Sequence, residues 1–289
     1  MQNFVKRKID VTINVGKGEF GAEKGTDVTL TGHRVSCTTV YAGGASQGET
    51  HLRIYGLPLQ MINQLTGTGG VFAKQTRNNT ILVSAGSEGG GVMSGVYQGQ
   101  ISQAWGNFEG APEVVFEIIA LAAAVEAVRP VGASSYRGAT DAANVMQNLA
   151  TDMKLVFENS QGLSVMLQNP YFPGTNLSKV ESCARAAGFE YSIEFGKLAI
   201  FPAQGFRNIG KPLIVSAATG MVGYPNFAAQ GISVTTIFNP DIVMARQIQI
   251  VSDLVPACGI WNVVGVAHSL ESETPNGQWF TTANCVRAA

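Results

Sequence analysis

Two stretches of this chain alternate apolar and polar residues with period two, and that alternation limits what the chain can fold into more than any other feature. In Ile9-Asp10-Val11-Thr12-Ile13-Asn14-Val15 every second side chain is apolar. Successive residues of a strand point to opposite faces, so this pattern buries one face and wets the other. It recurs over Val28–Thr31, Val35–Tyr41, Thr50–Tyr55, Thr80–Ala85 and Val92–Ile101. Glycine-rich connections separate the runs: Gly43-Gly44, Gly67-Thr68-Gly69-Gly70 and Gly86-Ser87-Glu88-Gly89-Gly90-Gly91. From Phe4 to Leu121 the chain therefore reads as all-β, with two turns of helix after Pro58, where Leu59, Ile62 and Leu65 recur at helical spacing. Within the apolar stretch Ala111–Val128, the β-branched run Val114-Val115-Phe116-Glu117-Ile118-Ile119 favours a strand for the first half.

The period changes from about Arg129 to Gln204. Thr140 or Asp141 can cap a helix whose stripe is Val145, Met146, Leu149, Ala150 and Met153. A second helix follows Asn176, with Leu177, Val180, Ala184 and Ala187 inward and Gly188 just past its end. Phe189–Ile193 and Leu198–Phe201 flank Phe195-Gly196-Lys197 as a hairpin. Strand patterning then resumes over Pro212–Val215, Ile232–Phe238, Gln247–Val251, Ile260–His268 and Trp279–Val286. Pro275-Asn276-Gly277 supplies a turn, expected as type I′ from its Asn-Gly pair. The order strand, Pro-started helical turn, strand, Gly-containing strand, final strand occurs in both β regions. The fold class expected is mainly β with an α+β insert: two related β-barrel domains, 1–128 and 211–289, separated by a small α+β domain at 129–210.

Composition excludes several classes of function. Nineteen Lys+Arg against twenty Asp+Glu give a net charge of -1, so no global basic field holds nucleic acid or an anionic membrane. Charged residues are only 13% of the chain, about half the usual share, which points to extensive subunit interfaces. The N-terminal stretch reads as a strand with no apolar core of a signal peptide. Glu113, Glu117 and Glu126 break the longest apolar run, so no transmembrane span and no stable membrane contact are expected. Cys37, Cys183, Cys258 and Cys285 are scattered without paired spacing, and they read as reduced, buried or incidental thiols.

Each candidate for chemistry has a plainer structural reading. The glycine run at 86–91 lacks the Lys-Ser/Thr of a phosphate loop and reads as a hairpin loop. His268-Ser269-Leu270-Glu271 brings three catalytic residue types together, but on a strand His268 and Ser269 face opposite sides, so the segment reads as a strand end and turn. His33, His51 and His268 are too dispersed for a metal site. Asp141 and Asp152 read as a cap and a solvated helix end. Trp105, Trp261 and Trp279, with Phe280, lack interleaved Arg or Lys and read as core or interface residues. Glu271 and Glu273 near Trp279 are the nearest approach to a carbohydrate-binding or wall-degrading site, and they look solvated beside a turn. No catalytic, cofactor-binding or metal residue is assigned, and no cofactor is expected.

In aggregate the residues resemble a family. Gly231-Ile232-Ser233-Val234-Thr235-Thr236-Ile237-Phe238-Asn239-Pro240, Ile260–Glu273 and Trp279-Phe280-Thr281-Thr282 look like the closing domain of baseplate hub proteins from contractile-tailed bacteriophages. Gly138-Ala139-Thr140-Asp141-Ala142-Ala143, Val156-Phe157-Glu158-Asn159, Asn169-Pro170-Tyr171-Phe172 and Leu198–Pro202 resemble the inserted domain of those hubs, and Gly95–Ile101 resembles a strand of the first barrel. Related groups are the late-control D type tail proteins and the N-terminal part of the valine-glycine-repeat spike of type VI secretion. The resemblance implies two tube-forming barrels per subunit and a homotrimeric ring. That ring would join the hexameric tail tube to the spike and enclose a channel that DNA crosses only in transit. It implies a virion protein of the tail baseplate, assembled in the host cytoplasm, whose partners are its own copies, the tube protein, the spike protein and other baseplate proteins. It implies no enzymatic activity, and because the chain ends at Ala289, any spike or cell-wall hydrolase would belong to a partner. The insert is expected outside the tube, and the lumen is expected to be neutral or acidic.

Overall fold

The computed structural model describes residues 6–15, 27–43, 47–66, 79–88, 91–203 and 205–288. The connection at Gly67–Gly70 lies outside the described residues, as do Gly44 and the Gly89-Gly90 part of the loop at 86–91. The chain is mainly β, with four α-helices among the described residues. It divides into two compact units that interleave along the sequence. Unit 1 comprises 1–40, 49–124 and 268–280; unit 2 comprises 41–48, 125–267 and 281–289.

Unit 1 contains β1 (Arg7–Asn14), β2 (Asp27–Leu30), β3 (Val35–Ala42, of which 35–40 belong here), β4 (Glu49–Tyr55), β5 (Thr80–Ser87), β6 (Ser94–Asn107) and β7 (Val115–Leu121). They are ordered β2-β1-β5-β6-β7-β4-β3, all antiparallel. The alternation read from the sequence is the observed burial. Ile9, Val11 and Ile13 point inward, facing a core with Leu52, Ile54, Ile81, Val83, Tyr97, Phe116 and Ile118. Removing each such side chain from water is worth about 1.5–3 kcal/mol. β6 runs to Asn107, beyond the expected Ile101, because a register shift between Ile101 and Gln103 breaks the period and then lets pairing with β7 continue. The helix after Pro58 is α1 (Leu59–Leu65); Ile62 and Leu65 are buried, while Leu59 is exposed.

Unit 2 holds the helices α2 (Ala124–Val128, all but its first residue), α3 (Ala142–Asp152) and α4 (Asn176–Ala187). Its strands are β8 (Ser134–Ser135), β9 (Ala139–Asp141), β10 (Val156–Glu158), β11 (Met166–Gln168), β12 (Tyr171–Phe172), β13 (Phe189–Glu194), β14 (Lys197–Pro202), β15 (Leu213–Val215), β16 (Asn226–Ala228), β17 (Gly231–Ile237) and β18 (Gln247–Ile250). β19 (Gly259–Ser272) and β20 (Trp279–Arg287) contribute 259–267 and 281–287 here and their remainders to unit 1. One ladder runs β16-β17-β20-β19-β18-β15. A second is β10-β14-β13, and β9/β11 and β8/β12 form two-stranded ladders.

Asp141 caps α3, accepting from Ala143 N at 3.0 Å, and the stripe Val145, Met146, Leu149, Ala150 and Met153 is buried as read. α4 is capped by Thr175 and ends at Gly188, whose φ of 71° suits the residue without a Cβ. Its buried face differs from the reading: Leu177 and Ala187 are half-buried, while Asn176, Lys179 and Cys183 are buried beside Val180 and Ala184. Polar partners explain the shift. Lys179 Nζ donates to Gly132 O and, at 3.1 Å, to Ser134 Oγ; Asn176 Nδ2 donates to Glu126 Oε2 at 2.7 Å.

The β13–β14 hairpin turns at Phe195 and Gly196, both with positive φ. The turn before β20 is not type I′. Gly277 N donates to Thr274 O at 3.1 Å, with Asn276 at φ 56°. Pro275 fixes φ near -65°, so the pair Pro275-Asn276 fits type II instead. Neither unit's hydrogen-bonded ladder closes into a barrel among the described residues.

Candidate assembly surfaces

The chemistry-bearing residues are dispersed or already engaged. His268 is buried inside β19, not at a strand end, since the alternation His268, Leu270, Ser272 carries the strand on. Burial lowers its pKa to about 4. Glu271 Oε2 accepts from Gln278 N at 2.9 Å, bracing the turn, and Glu273 Oε1 takes Lys6 Nζ at 2.7 Å. His33 Nδ1 lies 3.1 Å from Tyr55 O, and His51 Nε2 3.2 Å from Glu117 Oε2. Asp141 also accepts from Ser164 Oγ and Val165 N; burial pushes its carboxyl up, but these three donors hold it below the usual range. Asp152 is exposed at the last turn of α3. Burial pushes the thiols of Cys183 and Cys285 up to about 12 and raises that of Cys37. Among the described residues no three His, Cys, Asp or Glu side chains group as metal ligands, and no helix is long and apolar enough to cross a membrane.

Trp261 is buried, its Nε1 donating to Ala257 O at 2.9 Å, and Arg287 stacks 5.5 Å from the ring centroid. Trp279 is buried under Arg7, also at 5.5 Å, and Arg7 Nη1 reaches Gly277 O at 2.8 Å. In unit 1 these contacts carry the start of β1 to the turn between β19 and β20. Trp105 and Phe280 are half-buried.

Within unit 2 a buried ionic cluster joins β10, β13 and the segment leading to the C-terminal strands. Arg207 holds Glu158 bidentately and Glu194 through Nη1 at 3.0 Å. Its backbone N donates to Ala245 O at 2.7 Å, and Glu194 Oε1 accepts from Met244 N at 3.2 Å. The hydrogen bonds from Arg207 hold Glu158 below the usual carboxylate range, whereas burial raises Glu194 in spite of the same guanidinium. The cluster was missed in the sequence because its members are far apart along the chain.

Two concavities are open to solvent. In unit 1 a cleft of about 540 Å³ is lined by Arg34, Tyr55, Leu57, Pro58, Pro112 and Glu113, with Arg34 stacked 4.4 Å from the Tyr55 centroid. In unit 2 a groove of about 380 Å³ is lined by residues including Phe201, Gln230, Met244, Val264 and Arg287. Exposed apolar side chains concentrate in unit 2 on the segment from Ile214 to Val264, including Val222, Tyr224, Phe227, Val251 and Ile260. One sequence signal marks this region and was overlooked: between Lys211 and Asp241 no residue is charged.

A mainly β chain with an uncharged, partly exposed segment between Lys211 and Asp241, and with no convergent catalytic set among the described residues, fits a component of an assembly. The sequence profile of the baseplate hub gp41 family matches residues 8–285. The chain belongs to that family. Its fold recurs in solved tail proteins at very low identity. The tail protein from Neisseria meningitidis MC58 superposes with a TM-score of 0.62 at 9% identity, covering 96% of each chain. The 43 kDa tail protein of prophage MuSo2 from Shewanella oneidensis gives 0.58 at 9%, again over 96% of each chain. The Escherichia coli c3393 protein, a type VI secretion component described as similar to T4 tail proteins gp27 and gp5, gives 0.59 at 9%, over 89% of this chain and 74% of that one. No curated protein matches the chain significantly. The expected relation to phage baseplate hubs and type VI spike-like proteins is therefore met, and family membership makes the chain a structural phage-tail protein of the virion.

Proposed function

We propose that the chain is the subunit of a homotrimeric hub ring that joins a hexameric tail tube to the central spike of a contractile tail, with DNA crossing its channel only in transit. The observation that carries this reading is the family match over 8–285. The domain reading is part of the proposal: β domains at 1–128 and 211–289 line the tube, and the α+β insert at 129–210 decorates its outside. Two features of the units support barrel-like closure through contacts other than a ladder. In unit 1 Arg7 and Lys6 reach the turn between β19 and β20. In unit 2 the chain after β15 turns back through Ser216–Gly220, and Met221 bridges Thr236 of β17. Two similar barrels per chain give three chains six quasi-equivalent positions, which matches a threefold body to a sixfold tube. A neutral or acidic lumen lets phosphates pass without the salt-dependent grip of fixed Lys and Arg. The ring is assembled in the host cytoplasm and carries no catalysis or cofactor of its own.

Reconstruction of the assembled tail tests the proposal. Three copies between tube and spike are expected, with a lumen poor in Arg and Lys. Six copies per ring, or a lumen dominated by Arg and Lys, would refute the corresponding part.

A further inference from the structure

We infer that the uncharged hairpin formed by β16 and β17 is a docking arm, and that its occupant is the exposed apolar row across β15, β18 and β19 on a second copy of this chain. The inference deepens the hub reading and rests on it for the presence of neighbouring copies.

The arm is exposed throughout β16 and at its two-residue tip, Ala229-Gln230, and it presents Tyr224 and Phe227, 61% and 58% exposed. No charged side chain occurs between Lys211 and Asp241. Exposed strand edges are ordinarily guarded by charges, bulges or covering segments, because their free backbone groups recruit other strands. No described strand pairs with the outer side of β16, and Pro225 stands just before its start. The other end of the ladder is treated differently. β15 also pairs on one side only, but Ile214 O accepts the Thr219 hydroxyl at 3.0 Å, so the chain caps that edge itself. What the β15 end offers is a face. Ile214 stands opposite Gln249, which stands opposite Ile260, and Val251, just past the end of β18 and two residues beyond Gln249, donates its N–H to Val215 O at 3.0 Å. Ile214, Val251 and Ile260 are each about half exposed.

Aromatic knobs and an apolar row therefore sit on different strands of one ladder, the first at β16 and the second across β15, β18 and β19. A contact between them in two copies is head-to-tail, the kind that closes into a ring when the rotation permits. Neutrality selects the occupant. A charged partner surface would lose its hydration against this arm and gain no counter-charge. A second copy brings a row with no charged member.

The full chain, in a Cys258→Ser background, is studied by sedimentation over a concentration series and within assembled tails. Phe227→Asp is expected to weaken self-association by about ten-fold or more, since it sets a carboxylate against an apolar surface. Val128→Asp, an equally exposed apolar position away from the arm, should leave it unchanged. Phe227→Cys combined with Gln249→Cys should form covalent multimers on oxidation, and neither single variant should. Wild-type association that survives Phe227→Asp, with no cross-link between 227 and 249, overturns the arm and leaves the hub reading standing. Wild-type protein that neither associates nor occurs in several copies in the tail overturns both.

Discussion

Arg207 and Glu158 meet through two parallel hydrogen bonds, Nε to Oε1 and Nη2 to Oε2, both 2.8 Å. The Arg207 side chain is only 6% exposed. It also serves Glu194 and the Met244 carbonyl, so one guanidinium ties a parallel strand and a hairpin of the α+β layer to the loop before β18. Arg207→Met removes the partner of two carboxylates at once and should destabilise the chain by about 3–5 kcal/mol, the usual cost of breaking a buried pair. Urea unfolding measures this, and Arg207→Lys should recover only part of it, since an ammonium cannot reproduce the fork.

The two carboxylates of that cluster should respond to pH with opposite signs. Glu158 is depressed below its ordinary value of 4.5, so its contribution is present above that pH and is lost as pH falls through the folded value. Glu194 is raised above 4.5, so the folded state gains relative stability below 4.5 and loses it as pH rises through the folded value. Relative to wild type, unfolding midpoints should therefore move against Glu158→Gln as pH rises towards 4.5, and in favour of Glu194→Gln as pH rises above 4.5. Parallel movement of the two variants would contradict the assignment.

His268 gives a separate acid response. Its pKa falls from 6.5 to about 4 through burial, so the folded state binds its proton less readily than the unfolded chain does. The stability tied to neutral His268 is full above pH 6.5 and declines as pH falls towards 4, by a few kcal/mol in total. His268→Gln should flatten the profile across that window, as read from urea midpoints at fixed ionic strength.

Strands with strict alternation were legible because burial on one face is a local pattern: Ile9, Val11 and Ile13 needed no tertiary information. Helix α3 was legible because its cap, Asp141, and its stripe are local, lying within the helix or next to its ends. The missed features depend on distant partners or on competing local rules. Lys179 is buried only because Gly132 and Ser134 receive it. Pro275 overrides the turn that Asn276-Gly277 would choose alone. The Arg207 cluster draws on three elements spread from 158 to 207, and no spacing rule relates them. The charge-free stretch between Lys211 and Asp241 was readable, but strand periodicity within it accounted for the same residues.

Gly231 should tolerate no side chain. A Cβ built there would lie 1.9 Å from Cys285 O on β20, so Gly231→Ala must push apart two neighbouring strands of the unit 2 ladder. Overpacking of this kind typically costs about 1–3 kcal/mol. The loss should appear as a lower thermal midpoint and faster amide exchange at β17 and β20. Gly138→Ala, which meets nothing within 4 Å but carries a φ of 83°, separates backbone strain from steric conflict.

Purified protein should show no turnover of peptidoglycan or polysaccharide. The carboxylates that the sequence sets near Trp279 are Glu271 and Glu273, and each is committed elsewhere: Glu271 to Gln278 N, Glu273 to Lys6. Glycoside hydrolysis requires one carboxyl held protonated and a second aimed at the opposite face of the sugar. Trp279, the aromatic that would seat the sugar, is buried under Arg7 and closed to a ligand. Glu271→Gln should therefore leave any trace of released sugar unchanged while loosening the turn, because the amide can present Gln278 N with the wrong group. Reproducible turnover abolished by Glu271→Gln, with the fold intact by circular dichroism, would show that this site does chemistry and that the structural reading is incomplete.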